Sequence, residues 1–173
     1  MKPQFYEDGE HSPWKTSGQN KKILNTLNDL IRINIDRITA YEKASHEEIT
    51  PEPEVREVFY RLGTDSRAYV NILHAEVIKL GGAPVSQSTI SGKIYLYWLE
   101  GKNSFDGRDT PARLDACIAA ETAIQKAYQQ ALDEQNKLPE RIYQILENQL
   151  WAVERAYQQL LGLQESRNTN TIT

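Results

Sequence analysis

The sequence predicts an all-α fold, a bundle of four long helices. Three observations carry this. Apolar residues recur at intervals of three and four over four separate stretches, the period of a helix with one buried face. Prolines stand at the boundaries of those stretches, at positions 51, 53, 84, 111 and 139. Charged residues of both signs are interleaved between the apolar positions, the pattern of solvated helix faces.

The first helix is expected from about Asn20 to Glu47, with the stripe Leu24, Leu27, Ile31, Asn34, Ile38 and Tyr41. Pro51 and Pro53 mark the break after it. The second runs from about Glu52 to Leu80, with Val55, Phe59, Leu62, Ser66, Tyr69, Leu73, Glu76 and Leu80 on its stripe. Gly81 and Gly82 end it, and Pro84 blocks its continuation. The third begins near Asp109 to Pro111, a capping residue followed by proline in the first turn. Its stripe is Leu114, Ile118, Glu121, Gln125, Tyr128 and Leu132. The fourth starts at Pro139 and runs to about Glu165, with Ile142, Leu146, Gln149, Val153, Ala156, Leu160 and Leu163. These helices form one domain over residues 21–165. Residues 1–20, rich in Pro, Gly, Ser and charge, are expected as an extended arm that Phe5, Tyr6 and Trp14 pin to the body or a partner. Residues 166–173 are expected as a frayed tail.

Short links join the first helix to the second and the third to the fourth, so each pair is an antiparallel hairpin. A long stretch separates the hairpins and carries its own short helical segment from Ser91 to about Ser104. Hairpin, long crossover and hairpin make the ferritin-like connection rather than the up-down-up-down one. Tyr95, Tyr97 and Trp98 in that segment are expected to lie across the bundle or against another subunit.

The 173 residues carry a net charge of -4 and a pI near 5.5. No basic face suggests nucleic acid. No apolar run approaches the ~20 residues that span a bilayer, and the N-terminus has no apolar signal core. Cys117 is the one cysteine, so no internal disulfide forms, and the expected location is the cytoplasm. There is no Gly-rich phosphate loop and no G-x-S-x-G motif. Cys117 reads as an inert core thiol beside the third stripe.

Each stripe has a polar residue near its midpoint: Asn34, Ser66, Glu121 and Gln149. Helices of similar length share a midpoint layer, so these four are expected to meet. Tyr41, Tyr69 and Tyr128 lie one or two turns away and need partners when buried. Glu121 is the residue of most functional interest. A buried carboxylate is costly unless paired or hydrogen-bonded, so either the Asn34 and Gln149 amides and a tyrosine satisfy it or burial keeps it neutral. The layer is expected to be a hydrogen-bonded core that fixes helix register. A metal centre or a small-ligand pocket are the other readings. His11 lies in the arm and His46 at a helix end, where it meets the helix dipole. His74 reads as a boundary residue, Glu76 as half of a boundary ion pair and Glu154 as surface.

LNDLIRINIDRITAYEKA, from Leu27, resembles the first helix of ferritin-like proteins, with Asn34 at the place of the ligand Glu. AETAIQKAY resembles their third helix and keeps Glu121 seven residues before Tyr128. HAEVIKLGGAP and SGKIYLYW complete a resemblance, from about residue 24 to 134, to a bacterial family called domain of unknown function 2383. The resemblance implies a ferritin-like bundle. It sets di-iron ligand positions at Asn34, Ser66, Tyr69, Glu121, Gln149 and Ala152, of which Glu121 alone is a carboxylate. The expectation is a non-catalytic binding or structural protein that self-associates, stress-related by analogy, with no cofactor. The alternative is a divergent iron oxidase, using iron or another divalent metal on Glu121 with Asn34, Ser66, Tyr69 and Gln149.

Overall fold

The computed structural model describes residues 18–46, 52–87, 110–133 and 136–170. Four helices make up most of these: α1 (Gly18–His46), α2 (Pro53–Lys79), α3 (Thr110–Ala131) and α4 (Glu140–Asn170). The main departure from the expected boundaries is at the end of α4. The predicted tail continues the helix through Asn170, because Gln164 and Arg167 reach Asp115 and Glu52 on neighbouring elements and hold the last turns to the bundle. Most of the expected N-terminal arm and the whole expected crossover helix lie outside the described residues.

Side-chain pairs fix the helix directions. Asn28 bonds the backbone of Ala83 and Val85, while the Tyr41 ring packs 5.7 Å from Phe59, so α1 and α2 are antiparallel. Tyr128 meets Gln149 and Asp115 meets Gln164, so α3 and α4 are antiparallel. Between the hairpins, Asn34 meets Tyr128 and Arg37 meets Glu121. Arg61 meets Gln159 and Glu76 meets Arg141. Thus α1 opposes α3, α2 opposes α4, and α2 and α3 run in the same direction. A chain that enters two successive helices from the same end must first return along the bundle, which is why the connection between them is long.

Helix α2 ends on a Schellman turn. Gly82 N–H donates to the carbonyl of Val77 and Gly81 N–H to that of Ile78, both at 2.9 Å. Gly81 takes φ 74°, a left-handed conformation suited to glycine. At Gly82 a Cβ would run into the tip of the Leu24 side chain, which would have to shift to admit it. In the turn between α3 and α4, Asn136 Nδ2 donates to the last carbonyls of α3, Gln130 at 2.8 Å and Ala131 at 3.0 Å.

The interior divides in two. One apolar cluster, around Leu27, Ile31, Leu73, Ile124 and Leu146, occupies the end that holds the start of α1, the close of α2 and the α3–α4 turn. The other, around Tyr41, Phe59, Leu62, Leu114 and Leu160, occupies the far end. A band of buried polar side chains crosses the bundle between them. Burying a Leu, Ile or Phe contributes about 1.5–3 kcal/mol, so the two clusters offset the desolvation of the polar band.

Candidate functional site

The band contains all four residues expected at the midpoints, Asn34, Ser66, Glu121 and Gln149, each buried. It also contains Arg37, which the stripe of α1 did not include. Arg37 is 2% exposed. It lies three residues after Asn34 and four before Tyr41, so all three project from one face of α1. Ile38, the expected stripe residue, is only partly buried.

The four midpoint residues do not form one ring. They sort into two groups. In the first, Arg37 grips Glu121 with two parallel bonds, Nε to Oε1 at 2.8 Å and Nη2 to Oε2 at 2.9 Å. Arg37 Nη1 donates to Ser66 Oγ at 3.1 Å, and the Ser66 hydroxyl donates in turn to the Leu62 carbonyl at 2.8 Å. Tyr41 O–H donates to Glu121 Oε1 at 2.5 Å, and the Arg37 guanidinium lies 5.5 Å from the Tyr41 ring centre. A guanidinium stays charged in proteins, so this is an ion pair satisfied on both carboxylate oxygens. Neither the Asn34 nor the Gln149 amide supplies the bonds to Glu121. Arg37 and Tyr41 do, so of the expected donors the tyrosine is present and the two amides are replaced by the guanidinium.

In the second group, Asn34 Nδ2 donates to the Leu30 carbonyl at 2.8 Å and to Tyr128 Oη at 2.9 Å. Tyr128 O–H donates to Gln149 Oε1 at 2.8 Å. Both amides thus converge on one phenol. Asn34 Oδ1 and Gln149 Nε2 are left buried without a hydrogen bond, a cost the first group does not carry.

The electrostatics follow from the burial. Desolvation works to lower the affinity of Arg37 for its proton, but Glu121 and Tyr41 outweigh it and hold the guanidinium above its ordinary value. Burial first, and then the Glu121 charge, push the Tyr41 phenol well above the usual tyrosine range. Burial likewise raises Tyr128 and the Cys117 thiol, the latter with help from Glu121. Cys117 is buried and free of disulfide, at the core position expected. Tyr69 is only half-buried, at the edge of the band, and Ala152 offers no donor atom. Glu76 is buried and pairs with Lys79 at 2.7 Å and Arg141 at 3.0 Å, the expected ion pair at the boundary. His74 Nε2 lies 3.0 Å from the Val85 carbonyl. Glu154, expected on the surface, is partly buried beside an open groove.

Among the described residues no three His, Cys, Asp or Glu side chains gather as a metal cluster. No described helix is long and apolar enough to cross a membrane.

The model of a family described as Domain of unknown function (DUF2383) matches residues 22–134. A comparison with curated proteins finds no match. Among solved structures, the chain is similar to one described as ferritin like, diiron-carboxylate proteins from Bacillus anthracis str. Ames. The TM-score is 0.69 at 15% identity, over 86% of this chain and 99% of that one. At that identity the likeness shows the fold, a ferritin-like four-helix bundle.

Proposed function

Because the chain belongs to the family described as Domain of unknown function (DUF2383), we propose that it is a non-catalytic ferritin-like protein with a binding or structural role, self-associating and metal-free at its centre. One observation carries this reading: both oxygens of Glu121 are already held, by Arg37 and Tyr41. The similar structure is described as diiron-carboxylate. Two hard cations need several carboxylate or imidazole ligands. At the six corresponding positions this chain has one carboxylate, and a fixed positive charge lies against it. A cation approaching Glu121 meets the Arg37 charge and must displace a bidentate pair. The donor set therefore does not fit a di-iron centre, and the guanidinium supplies the positive charge there. The proposed setting is the cytoplasm, in keeping with the buried, unpaired Cys117.

Elemental analysis tests this on protein from cells supplied with iron, manganese and zinc, alongside Glu121→Ala. The expected result is metal far below one ion per chain in both, and no oxygen uptake on adding ferrous iron. Near-stoichiometric metal that Glu121→Ala loses would establish the divergent iron oxidase instead.

A further inference from the structure

We infer that the second group of the band is a binding site for one buried water, held between Asn34 Oδ1 of α1 and Gln149 Nε2 of α4. The direction of the hydrogen bonds defines the site. The Leu30 carbonyl only accepts, so the atom of Asn34 that faces it at 2.8 Å is the amide nitrogen. That nitrogen has a second hydrogen, which goes to Tyr128 Oη at 2.9 Å. Tyr128 then turns its own hydrogen to Gln149, whose facing atom at 2.8 Å is the amide oxygen. Turning the Asn34 amide over would set acceptor against acceptor at Leu30. Turning the Gln149 amide over would aim a donor at the phenol and take away the acceptor of its hydrogen. One backbone carbonyl of α1 thus fixes the polarity of the whole chain of bonds.

The two ends of that chain have opposite needs. Asn34 Oδ1 is an acceptor and Gln149 Nε2 a donor, both buried without a partner among the described residues. Their residues are 0% and 3% exposed. A ligand here accepts from an amide N–H and donates to an amide oxygen. It is neutral, because Asn34 and Gln149 carry no charge and Tyr128, raised by burial, keeps its proton. Water has this character, and a buried water typically makes about three such bonds.

The neighbouring residues give it room and a way in. Ala152 follows Gln149 by three residues on the same face of α4 and brings only a methyl group. The pairs Arg61–Gln159 and Glu76–Arg141 set Tyr69 of α2 level with this part of α4. Tyr69 and Ala152 are both partly exposed, so the band approaches solvent along the seam between α2 and α4. Helices α1 and α4 stand on a diagonal of the bundle, and the water joins them. Ordering a water offsets much of what its bonds gain, so the site contributes connection more than net stability.

Water–amide cross-relaxation in the isotope-labelled full chain tests the site. The Gln149 side-chain amide hydrogens are expected to show a cross-peak to water with the sign of a molecule that tumbles with the protein. Asn34→Leu keeps this amide and removes the acceptor, so the cross-peak is expected to be lost. A cross-peak relayed by exchange at the Tyr128 hydroxyl would persist in Asn34→Leu and overturn the inference, as would its absence from folded wild type. A wild-type crystal structure that resolves water is the second measurement, and it decides where Asn34→Leu does not fold. One oxygen within about 3.2 Å of both atoms is expected. Two amides in direct contact, or no ordered oxygen that reaches both, overturns the site.

Discussion

Arg37 of α1 and Glu121 of α3 form a bidentate ion pair at 2.8 and 2.9 Å across the middle of the bundle, the two side chains 2% and 0% exposed. The pair ties the two hairpins together at the level where the core changes from one apolar cluster to the other. Removing charges of this kind from water costs several kcal/mol each. The cost is tolerated because Tyr41 and Ser66 take up further bonding capacity of the pair. What this geometry provides is register. A slip of either helix by a residue separates a fork that needs both of its bonds.

Breaking the pair from one side should therefore be severe. Glu121→Gln leaves the Arg37 charge buried without a counter-ion, and a loss of about 3–5 kcal/mol in chemical denaturation is expected. Arg37→Met strands the carboxylate and should cost a similar amount. The double replacement Arg37→Met with Glu121→Leu should recover most of the loss, since well-packed apolar residues replace buried ion pairs at little or no net cost. Additive losses in this cycle would mean that the two residues do not act as a pair.

Gln149 should behave differently although it shares the band. Its Oε1 accepts one bond from Tyr128, while Nε2 is buried without a partner. Gln149→Met leaves the buried Tyr128 O–H without its acceptor and at the same time removes the unsatisfied Nε2 donor, each effect being about 1–3 kcal/mol. The expected change in unfolding free energy is within about 1 kcal/mol of zero. A loss as large as that of Glu121→Gln would show that the amide is satisfied in a way the Tyr128 bond does not account for.

The depth of the band was legible because polar residues on an otherwise apolar stripe are conspicuous, and Asn34, Ser66, Glu121 and Gln149 are all buried. Its chemistry was not. Arg37 fits the spacing of the stripe, with Asn34 before it and Tyr41 after it. Its type argued the other way, since arginine is seldom buried unless paired. Its pairing partner lies 84 positions along the chain. Asp36 beside it also gave the segment the look of a solvated face. Where a stripe can follow i+3 or i+4, an apolar residue at one position draws the assignment. Here Ile38 drew it away from the arginine that the distant glutamate needed. The reach of α4 to Asn170 was hidden in the same way, because the contacts that hold its end come from other elements.

Cys117 should resist thiol reagents in the native protein. It is 1% exposed. Burial, and then the nearby Glu121 charge, raise its thiol above the ordinary value, while Arg37 and Arg113 offset this only in part. The thiolate is the reactive form, so both access and ionisation oppose reaction. Labelling with a coloured disulfide reagent is expected to be slow and to accelerate with mild denaturant in step with unfolding. Rapid stoichiometric labelling without denaturant would place the thiol in a more open environment than the one described.

Glu76 should give stability an acid limb. Burial favours its protonated form, but the hydrogen bonds and charges of Arg141 and Lys79 prevail and hold its carboxyl below the usual value of 4.5. A carboxyl with a depressed value in the folded state binds protons more readily when unfolded. Its contribution is therefore full above the unfolded value and lost as pH falls through the folded one. Melting temperature should be level near neutrality and decline below about pH 4.5. In Glu76→Gln the neutral-pH melting temperature should be lower and the acid decline shallower, so the two curves converge in acid. Parallel curves from pH 7 down to pH 3 would show that the Glu76 contacts with Lys79 and Arg141 contribute nothing that depends on its charge.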